Sequence, residues 1–203
     1  AARARQNTIL LLEHEPVITA GKRTEDHEYP TDRSTPVVKI DRGGKLTWHG
    51  PGQLTGYPIL KLPEPLDVVA YVRLLEEIIM NVLAQLGIKG ERVEGRSGVW
   101  ILGDGITPDK KIAAIGIRVS KQTTMHGFAI NCCNETAPFK QFIPCGITDA
   151  GVTTISEQLG RTVTPADILG PLERELIKYQ DRLAMPFEPL VPQEHKVAHE
   201  TAA

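Results

Sequence analysis

The stretch KIAAIGIRVSKQTTMHGFAINCCNETAPFKQFIPC, residues 111–145, decides the fold. Its first two pieces, KIAAIGIRVS (111–120) and TTMHGFAINCC (123–133), are rich in Ile, Val, Phe and Thr with interspersed glycine, and predict two central β-strands. The third, FIPCGITD (142–149), is a proline turn that delivers Cys145 into a Pro-Cys-Gly-Ile corner. A cysteine between a rigid residue and a backbone-permissive one is well placed to expose its sulfur. Lys111 heads an apolar run, residues 112–117, so part of its stem is expected to be buried. An ammonium in that setting can lower a thiol pKa and have its own pKa lowered. Both residues also admit plainer readings. Free cysteines commonly serve as small buried hydrophobes, and Lys111 beside Lys110 also fits a solvated pair.

Upstream, residues 8–13 read as a strand that stops at His14-Glu15-Pro16, and residues 17–19 as a short strand ending before Gly21. Residues 22–36 are a polar surface loop, and 37–41 a further strand. RGGKLTWHGPGQ, residues 42–53, holds five glycines or prolines, which argues against regular structure; the strand pattern resumes over 54–62. The clearest helix spans 67–86. Val68, Val72, Leu75, Ile79, Val82 and Leu86 recur every three or four residues and Gly87 supplies the stop. A strand pair around Gly95 and Gly98 follows, then a turn over 103–110. Beyond Cys145 the pattern gives a short helix ended by Gly160. A second long helix follows, capped at Thr164 with Pro165 in its first turn, and runs to near Leu183. Strands interleaved with two long helices make a mixed α/β (α+β) fold with a largely antiparallel sheet flanked by helices. Residues 1–185 are expected to form a single domain and 186–203, proline-rich and aperiodic, a C-terminal tail.

Composition narrows the function. The 203 residues carry a formal net charge of −2 and are 41% apolar, which provides a sizeable core and gives no pointer to nucleic acid. No run of about 18 apolar residues marks a membrane span. The chain starts without methionine, so a truncated or processed start is expected. Three cysteines, Cys132, Cys133 and Cys145, are an odd count that argues for free thiols in a reducing compartment, the cytoplasm or an organelle matrix.

Gly43-Gly44 can let a backbone approach a ligand or offer N–H groups to an oxyanion, but the loop matches neither the dinucleotide fingerprint nor the P-loop. An ordinary glycine-rich connection fits as well, although Trp48 and His49 have no use in a turn built only for geometry. His126 with Cys132 and Cys133 suggests a metal, yet neighbours on a strand point to opposite faces and cannot share one ion, so no metal is expected. His14 and His27, in turn or loop contexts, read as solvated.

Taken together, LLLEHEPVITAG, RGGKLTWHGPGQLTGYPIL, GVWI, KIAAIGIRV, HGFAINC and F-x-x-F-I-P-C-G-I, in that order over residues 9–160, resemble the octanoyltransferases of lipoate synthesis, the lipoyl(octanoyl) transferases. Departures are Glu15 where the family has a small or apolar residue, a long turn before Lys111, and the Cys132-Cys133 pair. The family also carries an extra strand and helix before the point where this chain begins.

The resemblance implies the fold shared with biotin and lipoate protein ligases. It implies Cys145 as the acyl-thioester nucleophile and Lys111 as its partner. It further implies three substrate-binding segments: Arg42, Gly43, Gly44, Lys45, Leu46, Thr47, Trp48 and His49; Ala114, Ile115 and Gly116; and Gly127, Phe128 and Ala129. The implied reaction moves an octanoyl group from octanoyl-acyl carrier protein to a lysine of a lipoyl domain, as found in 2-oxoacid dehydrogenase complexes and the glycine cleavage H protein. It needs no cofactor, because the incoming thioester stores the energy. Backbone N–H groups near Gly44 and Gly146 are the expected oxyanion donors, and residues around Ile115 and Phe128 the expected acyl slot. Arg42, Lys45, Arg118 and Lys121 are candidate docking cations. Two competitors remain: an ATP-dependent ligase on the same fold, and a non-catalytic relative that binds acyl or lipoyl proteins.

Overall fold

The computed structural model describes residues 7–32, 34–142 and 150–183. Cys145, Gly146 and the expected tail 186–203 lie outside the described residues. Two sheets make up the fold. The large one runs β1(Thr8–Leu12)–β5(Gln53–Ile59)–β9(Thr123–Asn131)–β8(Lys110–Ser120)–β7(Arg96–Ile101)–β6(Glu91–Val93), antiparallel throughout, with the two-residue β10(Gly151–Val152) added parallel to β8. The small sheet runs β3(Val37–Lys39)–β2(Val17–Ala20)–β4(Leu46–His49).

The central hairpin forms as its composition predicts. β8 and β9 pair from Ala113↔Ile130 to Ser120↔Thr123, and Lys121 and Gln122 close it with φ of 48° and 63°. Two successive positive φ values give a turn whose twist matches that of the strands it joins. Helix α1(Val68–Gln85) lies on one face of the large sheet. Asp67 caps it by accepting from the Ala70 N–H at 2.8 Å, a bond of about 1 kcal/mol. Gly87, at φ 81°, ends it, and the Ile88 N–H returns to the Leu83 carbonyl. Its buried face is wider than the predicted stripe. Tyr71, Leu74, Ile78 and Leu83 join Leu75, Ile79 and Val82, whereas Val68 stays 38% exposed. α2(Ile155–Leu159) and α3(Pro165–Lys178) follow; α3 packs on α1 and stops at Lys178, where a 3-10 turn over Gln180–Leu183 replaces the continuous helix expected to Leu183.

Two further departures matter for the site. Residues 46–49 are not irregular: they form β4, because Leu46 and Trp48 alternate with Thr47 and His49 and so suit a strand with two different faces. The turn of the β6–β7 hairpin falls at Gly95, while Gly98 lies inside β7.

At Gly98 φ is 108°, and a Cβ there would sit 2.4 Å from the Ala113 carbonyl oxygen. This close approach accompanies a β-bulge. Val99 pairs with Ala113 but Trp100 with Lys111, so Ile112 is an extra residue on β8. Ile112 and Ala113 are consecutive yet both enter the same core. The bulge therefore turns Lys111 to the opposite face, the one that carries Ala114 and Gly116.

Candidate functional site

That face, together with the small sheet, encloses a cavity of about 510 Å³. Its floor is built of small residues. Ala114 pairs with Ala129 and Gly116 with Gly127 across β8 and β9. Gly116 brings the Arg42 side chain close, since a Cβ at Gly116 would be 3.1 Å from Arg42 Cδ. Gly43 docks on the same strand, its N–H donating to the Ile117 carbonyl at 3.1 Å.

Arg42, Gly43, Gly44, Lys45, Thr47 and His49 all line the cavity. Leu46 and Trp48 do not. They occupy the other face of β4 and pack with Ile18, Ala20, Phe139 and Phe142 in a second apolar cluster. Ala114, Ile115 and Gly116 line the cavity, as do Gly127, Phe128 and Ala129, and so does Lys111, which is 8% exposed. Its Nζ lies 4.6 Å from the centroid of the Trp100 ring, a cation–π distance.

Several cavity residues were not anticipated from the sequence. Thr19 of β2, Tyr57 of β5 and His126 of β9 line it, and His14 borders Tyr57. His14, expected to be solvated, is half-buried: its Nε2 is 2.6 Å from Tyr57 Oη, and its ring centroid is 5.7 Å from that of His49. Burial lowers the His14 pKa. A signal for Tyr57 was present in the alternation of Gln53, Thr55 and Tyr57 along β5, which gives one polar strand face.

Three of the four candidate docking cations are held by partners. Arg42, a candidate docking cation, is buried and donates from Nη2 to the Thr19 carbonyl and hydroxyl at 2.7 and 2.9 Å. Lys45 is 2.6 Å from Glu28, and Arg118 pairs with Asp41. Lys121 sits exposed at the hairpin turn. His126, at φ 62°, donates from Nε2 to Asp41 at 2.6 Å. Burial, then the Arg42 and Arg118 charges, lower its pKa. His49 is 9% exposed and its pKa is pushed down to about 4, chiefly by burial; Gln53 opposes the shift, and His14 and Arg42 add to it. At neutral pH it is an uncharged imidazole.

Cys132 and Cys133 lie in the bend after β9 rather than on the strand; Cys132 is buried and its thiol is pushed up to about 12 by burial. Among the described residues no cluster of three His, Cys, Asp or Glu side chains could hold a metal ion. Phe142, the last described residue before the segment that carries Cys145, packs in the second cluster, and the described residues resume at Ala150, just before β10. There Gly151 and Val152 pair with Lys110 and Lys111, and the Thr153 N–H donates to the Lys111 carbonyl at 3.1 Å.

The arrangement is a small-floored slot with a buried lysine and the neutral His49 imidazole on its walls, suited to an apolar chain that ends in a polar group. Comparisons with known proteins agree with it. Residues 1–177 match the family described as lipoyl protein ligase A/B catalytic domain. An octanoyltransferase of Leifsonia xyli subsp. xyli is 67% identical over 160 residues, covering 79% of this chain and 71% of that protein. One from Clavibacter sepedonicus is 56% identical over 191 residues, covering 92% and 82%. Among solved structures, the bi-partite lipoate protein ligase of Thermoplasma acidophilum, described together with its E2 lipoyl domain, superposes with a TM-score of 0.69 at 15% identity. That match covers 86% of this chain and 71% of that one. A lipoate-protein ligase A bound with ATP gives 0.68 at 16% identity, covering 86% and 73%. Identities this low speak to the fold alone.

Proposed function

We infer that this chain, which belongs to the lipoyl protein ligase A/B catalytic-domain family and is an octanoyltransferase, transfers octanoyl from octanoyl-acyl carrier protein to a lysine of a lipoyl domain through a thioester on Cys145. One observation carries the mechanistic part. The bulge at Ile112 turns Lys111 into the acyl-sized cavity, and the strand that follows the Cys145 segment pairs with that same lysine.

In the first half-reaction Lys111 takes the Cys145 proton and the thiolate attacks the carrier thioester. The tetrahedral intermediate expels the carrier thiolate, which leaves as a thiol with the proton from Lys111. One thioester replaces another at little cost in free energy. In the second half the target lysine, deprotonated by Lys111, attacks the acyl-enzyme and an amide forms as Cys145 is released. The amine loses two protons in all, one returned to the thiol and one passed to solvent. Covalent catalysis thus divides a transfer between two bulky proteins into two visits to one site. Three cysteines and no expected disulfide suit a reducing compartment, so we assign the reaction to the cytoplasm, or to an organelle matrix in a eukaryote.

The test is transfer without ATP. Purified protein supplied with octanoyl-carrier protein and a lipoyl domain is expected to octanoylate the domain in ATP-free buffer, and Cys145→Ala to abolish it. Transfer that requires ATP, or that survives Cys145→Ala at near-normal turnover, would contradict the reading.

A further inference from the structure

A chain of buried hydrogen bonds runs from the small sheet, past His49 on the cavity wall, to the backbone of Lys111. Arg42 Nη2 donates to Thr19 Oγ1 at 2.9 Å, and Thr19 Oγ1 lies 3.5 Å from His49 Nε2, at the outer limit of such a bond. His49 Nδ1 is 2.8 Å from Gln53 Oε1. Gln53 Nε2 reaches Asn131 Oδ1 at 2.9 Å and the Trp48 carbonyl at 3.3 Å. Asn131 Nδ2 reaches the Thr153 carbonyl at 3.1 Å, and the Thr153 N–H donates to the Lys111 carbonyl at 3.1 Å.

Two fixed acceptors set every orientation in this chain. A backbone carbonyl only accepts, so Thr153 requires the NH₂ of Asn131, leaving Oδ1 toward Gln53. The Trp48 carbonyl likewise requires the NH₂ of Gln53, leaving Oε1 toward His49. Nδ1 of His49 must then carry the proton, and Nε2 is bare on the cavity side. Every bond runs in one direction, from Arg42 to Lys111, and such chains polarise one another. Gln53, Asn131 and Thr153 are at most 4% exposed, so a broken link leaves buried groups unpaired rather than hydrated.

We propose that Gln53 and Asn131 are positioning residues, forming a one-directional relay that fixes the His49 tautomer and seats the backbone of Lys111. The bulge at Ile112 shifts the register of Lys111 against β7, and on the other side of β8 its carbonyl accepts from the Thr153 N–H, which ties the start of the lysine stem to the relay. The proposal rests on the reading of Lys111 as the partner of Cys145.

Asn131→Asp tests it. The side chain is the same size, but an ionised carboxylate turns an acceptor on the Thr153 carbonyl, whereas the protonated acid donates as the amide did. The ionisable groups that reach this position are His49 through Gln53, Lys111 and Glu157 through Thr153, and Cys132 beside it in sequence. The measurement is the iodoacetamide alkylation rate of Cys145 from pH 5.5 to 9, read by peptide mass so that Cys132 and Cys133 are scored separately. Thermal unfolding at each pH confirms that each variant is folded.

In wild type the alkylation midpoint should lie below the ordinary thiol value of about 8.5. Asn131→Ala should react about tenfold more slowly at pH 7, the usual penalty of one unsatisfied buried hydrogen bond. Asn131→Asp should match it at pH 8 and approach wild type as the pH falls, which a simple packing defect would not produce. A wild-type pH profile in either variant would overturn the relay. An ordinary thiol profile in wild type itself would overturn the Cys145–Lys111 pairing, and the relay's role with it.

Discussion

His49 is carried into the fold as a neutral imidazole, and that makes one side chain a source of pH-dependent stability. Its folded pKa of about 4 lies below the ordinary histidine value, so the unfolded chain binds its proton first as pH falls. The contribution is complete above about pH 6.5, shrinks on acidification, and is exhausted below about pH 4. A shift of this size corresponds to about 3 kcal/mol. His14 and His126 are lowered as well, so they push in the same direction. Urea unfolding at pH 7 and pH 4.5 should show wild type losing stability over this interval and His49→Gln losing less of it, by on the order of 2 kcal/mol. Equal pH slopes for the two proteins would mean that His49 is not buried as a neutral group. Single residues were unevenly legible in the sequence. Arg42, Gly43, Gly44 and Lys45 could be named from the RGGKLTWHG run, but Arg23 and Arg96, which also line the cavity, could not, and the partners of His49 lie 4, 30 and 35 residues away, on two other strands and in the connection between β1 and β2. Nothing local announces such pairings.

At the scale of elements, β8 decides the site. Its strand character was evident from composition, but the extra residue at Ile112 was not, because a bulge depends on the strand that pairs with it. A regular β8 would place Lys111 on the same face as Ala113, in the core against α1. Gly98→Ala should therefore be costly in two ways. The new Cβ meets the Ala113 carbonyl 2.4 Å away, and φ 108° is unfavourable for any side chain. Chemical denaturation should show a loss on the order of 3 kcal/mol, with transfer activity reduced beyond the fraction unfolded. A variant as stable and as active as wild type would show that the bulge does not need glycine there. β4 gives the complementary lesson. Five glycines and prolines around it mask a four-residue alternation, in which Leu46 and Trp48 fill one core while Thr47 and His49 line the cavity.

Over the whole molecule, the mixed sheet, the central hairpin and the two long helices were readable from periodicity, capping residues and turn chemistry. What was not readable is the division into two sheets, since the small sheet joins β2 to β3 in parallel and β4 in antiparallel across loops of no regular pattern. That division creates the cavity: its polar wall comes largely from one sheet and its small-residue floor from the other. No helix among the described residues is long and apolar enough to cross a membrane. The central claim, that this cavity serves an acyl group held on Cys145, is tested most directly by intact-mass analysis after incubation with octanoyl-carrier protein. Transfer through Cys145 requires a single octanoyl adduct on that residue, removed by neutral hydroxylamine and absent from Cys145→Ala. No adduct on the intact protein, or one that maps to Cys132 or Cys133, would contradict it.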